Sequence, residues 1–201
     1  MSLKQEIIFI IDDDQSIRKS LALFLTAVGY TVESFVSSED YLAREAFHDN
    51  GCLILDVNLG GKTGIELQED LISQQSLLPI IFITGEGNIP MSVQALKKGA
   101  VNFLEKPFDD NELLLSVNEA MALSQKLRSE KEELEKTRKL MQMLTPRESE
   151  ILKYVITGMP NKNIASELKI AEQTVKLHRQ KICEKLGVKS VPEMIRIAEK
   201  A

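Results

Sequence analysis

Short apolar runs alternate with helix-like segments five times in the first 124 residues, and this repeat permits very few folds. The apolar runs span residues 7–11, 32–35, 52–55, 80–84 and 101–104. Most of them are apolar throughout, as expected of strands that are covered on both faces. Because crossovers between parallel strands are right-handed, the repeat predicts an α/β, flavodoxin-like (βα)5 doubly wound parallel sheet.

The segments between the apolar runs have helical spacing. The expected helices span residues 17–28, 38–47, 64–73 and 90–98, and Gly29 ends the first of them. A last helix begins at Asp109, where Asp109 and Glu112 form a capping-box pattern. In such a sheet the functional groups lie at the carboxyl ends of the strands.

Residues 125–142 form a segment without Gly or Pro that is rich in Glu and Lys. Leu127, Leu134 and Met141 recur every seven residues, as expected for one of the two apolar positions in a coiled-coil heptad. The other position is half polar, because it includes Glu130 and Thr137. The pattern is compatible with a solvated helical linker or with a short coiled coil between subunits, although convincing coiled coils keep both seams apolar. We favour a linker continuous with the preceding helix, with weak self-association.

Residues 143–201 are expected to fold into a small all-α domain of four helices. Thr145, Pro146 and Glu148 mark the start of the first helix, and Gly158 marks its end. Segments 161–168 and 171–186 are spaced as a helix-turn-helix. A fourth helix starts near Pro192.

One face of the third helix, within residues 171–186, is apolar and the opposite face is polar and basic. The polar face carries one apolar residue, Leu177, together with Lys176, Gln180 and Lys181. The face is either a solvated surface with a stray leucine or a surface that reads a DNA groove. In the second case Lys binds base edges or phosphates, Gln pairs with adenine, and Leu contacts a thymine methyl.

Charge is distributed unevenly along the chain. The net charge is −11 for residues 1–124, +2 for residues 125–142 and +4 for residues 143–201. These opposite signs predict two modules with different partners, an acidic one that hosts a cation and a basic one that meets phosphates.

Composition excludes several classes of protein. With 43% hydrophobic and 27% charged residues, the chain is an ordinary globular protein rather than a disordered one. No apolar run reaches the roughly 18 residues of a membrane span, and the N-terminus lacks a secretion signal. The two cysteines form no metal or disulfide pattern, so we expect a cytoplasmic protein.

Polar residues follow four of the five predicted strands, where they are expected to meet at one edge of the sheet. These residues are Asp12, Asp13, Asp14, Asp56, Thr84 and Lys106. Gathered carboxylates repel one another unless a cation neutralises them, and oxygen ligands favour Mg²⁺. Mg²⁺ with a lysine and a hydroxyl suits phosphoryl transfer, with a carboxylate as nucleophile. Taken one at a time, such residues are often only loop residues or helix caps.

Residues 7–121 resemble the receiver domain of two-component response regulators. The matching motifs are Ile10-Ile-Asp-Asp-Asp, Leu55-Asp56-Val-Asn-Leu, Phe82-Ile-Thr84-Gly and Leu104-Glu-Lys106-Pro107-Phe. The resemblance implies that Asp56 is the phosphoacceptor. It also implies that Asp13, Asp56 and the Asn58 carbonyl bind Mg²⁺ directly, and that Asp12 acts through water.

The resemblance to receiver domains also assigns the residues that respond to phosphorylation. Lys106 would bind a phosphoryl oxygen, Thr84 would move onto the phosphoryl group, and Phe103 would swing with it. The Lys106–Pro107 peptide is expected to be cis. Asn58 and Glu86 would border the approach of the water that hydrolyses the acyl phosphate, which predicts a short-lived phosphoprotein. Gly60 departs from the family pattern, which usually has Pro there.

Residues 143–201 are similar to the LuxR-type helix-turn-helix domain. The similarity rests on Leu144-Thr-Pro-Arg-Glu-Ser-Glu-Ile-Leu, Asn161-Lys-Asn-Ile-Ala and Thr174-Val-Lys-Leu-His-Arg. It implies that Lys176, Leu177 and Gln180 face DNA bases and that Thr174 faces phosphate. Ala171 departs from the family, which often has Ser or Thr there as a helix cap.

Together the two resemblances imply a response regulator of the NarL/FixJ class, on its FixJ-like branch. The expected domains are a receiver over residues 1–124, a helical linker over 125–142 and a DNA-binding domain over 143–201. The expected partners are a sensor histidine kinase, promoter DNA, a second copy of the chain after phosphorylation, and RNA polymerase. The chain is not expected to be an enzyme beyond slow self-catalysed phosphotransfer and dephosphorylation.

Two alternatives to this function remain at this stage. One is a constitutive DNA-binding regulator whose receiver only dimerises, although a complete acidic pocket argues against it. The other is a Mg²⁺-dependent phosphatase of haloacid-dehalogenase type. That class needs a second Asp two residues after the nucleophile, where this chain has Asn58.

Overall fold

The computed structural model describes residues 6–44, 50–85 and 89–200. The chain divides into two compact units, residues 1–129 and residues 130–201. Within the described ranges, the first unit contains a five-stranded sheet, and the regular secondary structure of the second unit is entirely helical.

The sheet of the first unit is parallel throughout, with strand order β2-β1-β3-β4-β5. This is the flavodoxin-like order, so the predicted fold is confirmed. The strands are β1 (Ile7–Ile11), β2 (Thr31–Phe35), β3 (Gly51–Asp56), β4 (Ile80–Thr84) and β5 (Asn102–Glu105). The helices are α1 (Gln15–Val28), α2 (Ser38–Leu42), α3 (Gly64–Ser73), α4 (Ile89–Lys97) and α5 (Asp110–Gln142).

Each face of the sheet is covered by its own apolar core, which explains why the central strands are apolar throughout. Phe9 and Leu53 point into the core that contains Leu67 of α3. Their neighbours Ile8 and Ile54 point into the opposite core, with Leu25 of α1 and Val117 of α5. Because successive strand residues alternate between faces, both sets must be apolar.

The ends of α1 agree with the predicted capping residues, whereas the end of α2 does not agree with the predicted bound. Asp14 caps α1 by accepting hydrogen bonds from the backbone N–H groups of Ser16 and Ile17. Gly29 ends α1 with φ 107°, a conformation that favours glycine. Helix α2 ends at Leu42, earlier than predicted, and residues 45–47 of the predicted segment lie outside the described residues.

Helix α5 runs without interruption from Asp110 to Gln142, which confirms the predicted continuity with the linker. The middle of α5 is hydrogen-bonded to residues at the amino-terminal edge of the sheet. The Gly51 N–H donates to Ser124 Oγ at 3.2 Å, and Gln125 Nε2 donates to Glu6 Oε1 at 2.8 Å. Arg128 also donates to the Asn50 side chain. The start of the predicted linker is therefore part of the first compact unit.

The apolar heptad positions of the alternative coiled coil have different surroundings. Leu134 is exposed, but Met141 packs against the apolar core of the second unit. A residue that packs within its own unit is not free to pair with another helix, so this seam position does not support a coiled coil.

The second unit contains the end of α5, from residue 130 onward. It also contains α6 (Pro146–Ile156), α7 (Asn161–Glu167), α8 (Glu172–Leu186) and α9 (Val191–Glu199). Its core includes Ile151, Ile164, Val175, Ile182 and Met194. Thr145 and Glu148 form the reciprocal hydrogen bonds of a capping box at the start of α6, as predicted.

Helix α8 begins at Glu172, and the residue before it, Ala171, occupies the N-cap position without a side-chain hydrogen bond to the helix. We expect Ala171→Ser to increase the free energy of unfolding of the second unit by about 1 kcal/mol, because a serine hydroxyl at this position can accept a hydrogen bond from a backbone N–H in the first turn of α8. Ser190, which caps α9 through the Glu193 N–H, provides the reciprocal control: Ser190→Ala should lower it by a similar amount. Urea unfolding followed by circular dichroism measures both changes, and an unchanged midpoint for Ala171→Ser would refute the first.

A buried carboxylate links α6 to α8. Glu148 is 3% exposed and accepts a hydrogen bond from Lys185 Nζ at 2.6 Å. The Thr145 N–H also donates to it, at 2.8 Å. The bond from Lys185, followed by that from Thr145, lowers the pKa of Glu148 from 4.5 to about 2.

This depressed pKa predicts an acid-sensitive second unit. The stabilisation is complete above the ordinary pKa of 4.5 and is lost as the pH falls toward about 2. Since the Lys185 end of the pair is partly exposed, solvent screening reduces the effect to about 1–2 kcal/mol. Unfolding measured at pH 7 and pH 3 should show this loss for wild type and a smaller loss for Glu148→Gln. Equal losses in the two proteins would contradict it.

Candidate functional site

The carboxyl ends of β1, β3 and β5 bring three predicted site residues into direct contact. Asp12 follows β1, Asp56 is the last residue of β3, and Lys106 follows β5. Lys106 Nζ lies 2.7 Å from Asp12 Oδ2 and 2.7 Å from Asp56 Oδ2. An ammonium group therefore bridges the two carboxylates at the centre of this edge.

Asp13 completes a cluster of three carboxylates. Asp12, Asp13 and Asp56 can each place one carboxylate oxygen within 4.8 Å of the others. Asp12 and Asp56 are buried, whereas Asp13 is exposed. Three carboxylates against one ammonium leave an excess of negative charge, and their hard oxygen atoms suit a divalent cation such as Mg²⁺.

Burial and pairing act in opposite directions on the charged groups. Burial raises the pKa of Asp12, and the hydrogen bonds from Lys106 and the Asp14 N–H only partly offset this. For Lys106, burial alone would lower the pKa, but the bonds to Asp12 and Asp56 outweigh it and raise the pKa above 10.5. Lys106 is therefore a cation at neutral pH.

The loop after Asp56 turns back tightly against the strand end. The Asn58 N–H donates to Asp56 Oδ1 at 3.1 Å, so both carboxylate oxygens of Asp56 have donors. A Cβ atom on Gly64 would lie 2.2 Å from the Asp56 carbonyl oxygen. Only glycine allows the start of α3 to approach Asp56 this closely.

The predicted switch residues lie on the neighbouring strands. Thr84 is buried at the end of β4, and its carbonyl oxygen accepts from the Lys106 N–H at 2.7 Å. Phe103 on β5 is half-buried and packs against Phe82, with ring centroids 6.1 Å apart. The Lys106–Pro107 peptide is cis, as expected. Asn58 is exposed, and Glu86 lies outside the described residues.

In the second unit, α8 exposes the face that the sequence predicts to meet DNA. Leu177 is 51% exposed, and the Lys176 side chain is 55% exposed and pairs with Glu172 at 3.4 Å. Gln180 and Lys181 are exposed and Thr174 is half-buried. Val175, Ile182 and Leu186 face the core. The helix thus presents a polar and basic surface with one apolar residue at its centre.

Three arginine contacts are not among the features that the sequence predicts. Arg18 donates to the Asp12 carbonyl oxygen at 2.5 Å, and Arg179 donates to Asn161 Oδ1 at 2.5 Å. Arg147 donates to the Leu168 carbonyl oxygen at 3.2 Å. The acceptors of Arg18 and Arg147 are backbone carbonyls, which every residue has, so the acceptor position carries no mark in the sequence.

Residues 8–118 match the response regulator receiver domain, and residues 142–198 match the bacterial regulatory proteins of the luxR family. Nodulation protein W of Bradyrhizobium diazoefficiens is 41% identical over 193 residues, which cover 96% of this chain and 85% of the relative. Transcriptional regulatory protein FixJ of Rhizobium meliloti is 37% identical over 191 residues, covering 95% and 94%.

A solved structure of the response regulator StyR is 40% identical to this chain. It matches with a TM-score of 0.90 and covers 98% of this chain and 100% of that chain.

The fold and the acidic cluster define a receiver domain, and the helix-turn-helix defines a DNA-binding output domain joined to it. This is the architecture of phosphorylation-regulated transcription control. The chain belongs to the response regulator family, in its NarL/FixJ class and on the FixJ-like branch. Members of this family are transcriptional response regulators rather than classical enzymes. Across residues 6–44, 50–85 and 89–200, none of the helices combines the length and the apolar character that crossing a membrane requires.

Proposed function

We propose that a sensor histidine kinase phosphorylates Asp56, and that this phosphorylation controls binding of the second unit to promoter DNA. The proposal rests on the contact of Asp56 with Lys106 at 2.7 Å inside a cluster of three carboxylates. A carboxylate held between an ammonium group and a cation site is equipped to accept a phosphoryl group.

In the transfer, an Asp56 carboxylate oxygen attacks the phosphorus of the donor phosphohistidine. The new P–O bond forms as the P–N bond breaks, and the leaving imidazole takes up a proton. Asp13, Asp56 and the Asn58 carbonyl would hold Mg²⁺ directly, with Asp12 acting through water, and the cation would supply positive charge beside the phosphoryl oxygens. Lys106 is already within hydrogen-bonding distance of Asp56 and binds another phosphoryl oxygen.

Phosphorylation then favours an active conformation of the receiver. The Thr84 hydroxyl binds the phosphoryl group, and Phe103 moves into the space that Thr84 leaves. The change exposes a dimerisation surface, and two copies of α8 meet two halves of a symmetric DNA site. Lys176, Leu177 and Gln180 contact bases, Thr174 and Lys181 contact phosphates, and the bound dimer acts on RNA polymerase.

Acetyl phosphate with MgCl₂ tests the proposal, because it supplies the phosphoryl group without the kinase. The expected results are the mass increase of one phosphoryl group, a larger species on size exclusion, and tighter binding to a selected DNA ligand. All three should disappear without MgCl₂. A protein that dimerises and binds DNA equally well without phosphorylation would instead be the constitutive regulator.

Asn58 lies beside the proposed phosphoacceptor, since its N–H donates to Asp56 Oδ1 at 3.1 Å, and this position supports a role in self-catalysed dephosphorylation. Its amide both donates and accepts hydrogen bonds, so it can hold the water that attacks the acyl phosphate. Slower decay of the phosphorylated Asn58→Met variant, measured after removal of acetyl phosphate, is the expected result. Equal decay rates would exclude Asn58 from this role.

A further inference from the structure

Arg18 reaches back from the first turn of α1 to the loop that carries the acidic residues. Its Nη1 donates to the carbonyl oxygen of Asp12 at 2.5 Å, and the side chain is half-buried. The Arg18 N–H bonds to the Asp14 carbonyl at 3.0 Å, so the helix itself places this residue beside the loop.

The carbonyl that Arg18 holds belongs to the peptide group between Asp12 and Asp13. A peptide group is planar, so fixing its oxygen also fixes the direction in which the chain enters Asp13. Arg18 therefore restrains the backbone on which the exposed carboxylate of the cluster is mounted.

Asp12 and Asp14 are held by other means. The Asp12 carboxylate accepts from the Asp14 N–H at 2.8 Å and from Lys106 at 2.7 Å. Asp14 caps α1. Asp13 lies between these two anchored residues, and its side chain is exposed. The peptide held by Arg18 is the link between the buried anchor and the exposed ligand.

We propose that Arg18 is a positioning residue for Asp13, which it holds in the orientation that binds the divalent cation. This inference rests on the proposed function, because it assumes that Asp13 is a cation ligand. Groups that orient a metal ligand typically contribute about 10–100-fold to metal affinity.

The positive charge of Arg18 makes the sign of the effect informative. A cation close to the site repels Mg²⁺, so an arginine that acted through charge alone would weaken Mg²⁺ binding. Its removal would then tighten the binding. An arginine that acts through the peptide has the opposite effect, and its removal weakens Mg²⁺ binding.

Calorimetric titration of the unphosphorylated full chain with MgCl₂ distinguishes these cases. We expect Arg18→Ala to weaken Mg²⁺ binding about tenfold and Arg18→Lys to recover part of the loss. Lys19→Ala removes the same charge from the neighbouring exposed residue and should leave the affinity unchanged or slightly higher. Tighter binding by Arg18→Ala would overturn the proposal.

The rate of phosphorylation by acetyl phosphate gives a second readout. The Mg²⁺ concentration for half-maximal rate should rise about tenfold in Arg18→Ala. The rate at saturating Mg²⁺ should stay near that of wild type, because bound Mg²⁺ itself orients Asp13. A lowered maximal rate with unchanged Mg²⁺ dependence would mean that Arg18 contacts the phosphodonor, and the proposal would be wrong.

Combining the substitution with Asp13→Ala shows whether Arg18 acts through Asp13. In the Asp13→Ala background, Arg18→Ala should cause no further loss of Mg²⁺ affinity; a full further loss would refute the proposal. If Asp13→Ala alone binds Mg²⁺ as well as wild type, the proposed cation site itself fails. If Asp13→Ala binds weakly and Arg18→Ala binds like wild type, only the role of Arg18 fails.

Discussion

Asp56→Asn should abolish phosphoryl incorporation from acetyl phosphate and leave the fold intact. An amide is not a nucleophile at neutral pH, whereas the carboxylate that it replaces is the proposed acceptor. Asparagine has nearly the same shape, and its side-chain oxygen can still accept the hydrogen bond that Lys106 donates to Asp56. Intact-mass measurement after reaction with acetyl phosphate and MgCl₂ checks the result.

The charge removed by Asp56→Asn also makes a prediction about stability. Burial is the main cause of the raised pKa of Asp12, and repulsion from the Asp56 carboxylate adds a smaller contribution. The neutral amide removes that repulsion, but it also removes the ion pair between Asp56 and Lys106, which keeps Asp12 as its partner. The two changes oppose each other, so the variant should unfold near the wild-type temperature. A much lower temperature would mean that loss of phosphorylation reports misfolding rather than loss of the nucleophile.

Asp13→Asn is the matched control because it removes the same charge from the same cluster. Its phosphorylation should be slow at low Mg²⁺ and recover at high Mg²⁺, since a cation ligand is weakened while the nucleophile remains. A stoichiometric phosphoryl adduct on Asp56→Asn would show that the two roles are assigned to the wrong residues. Phosphorylation of Asp13→Asn that high Mg²⁺ does not restore would show the same.

The sheet could be predicted from the sequence because burial of both faces leaves a pattern of apolar runs that recurs along the chain. Residues such as Ile8 and Phe9 must both be apolar when each faces a separate core, and this leaves continuous apolar runs. Parallel strands then bring Asp12, Asp56 and Lys106 to one edge whatever the loop conformations are. Family resemblance added the individual roles, including that of Thr84.

The contacts that the sequence did not predict are individual side-chain pairs. Glu148 and Lys185 lie 37 residues apart in the chain, and Ser124 lies 73 residues from Gly51. No periodicity relates such partners, because each depends on how two elements pack. The difference between buried Asp12 and exposed Asp13 is of the same kind, since adjacent aspartates look equivalent until the strand end is placed.

Lys176→Ala and Gln180→Ala are expected to change the DNA sequence preference of the phosphorylated protein. Both side chains are exposed on α8 and flank Leu177, which is 51% exposed in the middle of a polar face. Each good base contact is worth about 1–3 kcal/mol of discrimination. The loss should be confined to the base pairs that each side chain reads.

The contacts that these side chains make within α8 do not prevent DNA binding. Lys176 pairs with Glu172 at 3.4 Å, and both side chains are about half exposed. Exposed ion pairs of this kind contribute little to stability, so Lys176 can leave Glu172 for DNA with a small loss of free energy. Gln180 Nε2 donates to Glu184 at 3.0 Å, also on an exposed surface where water replaces the partner.

Lys181→Ala is the charge-matched control on the same helix. Lys181 is expected to contact phosphate, so its removal should weaken binding to all sequences alike and reduce the salt slope by about one. Affinities for the selected site, its single-base variants and unrelated DNA, each measured at several salt concentrations, separate the two effects. Uniform weakening by Lys176→Ala across all sequences would assign Lys176 to the phosphate backbone, and base reading would then rest on Leu177 and Gln180.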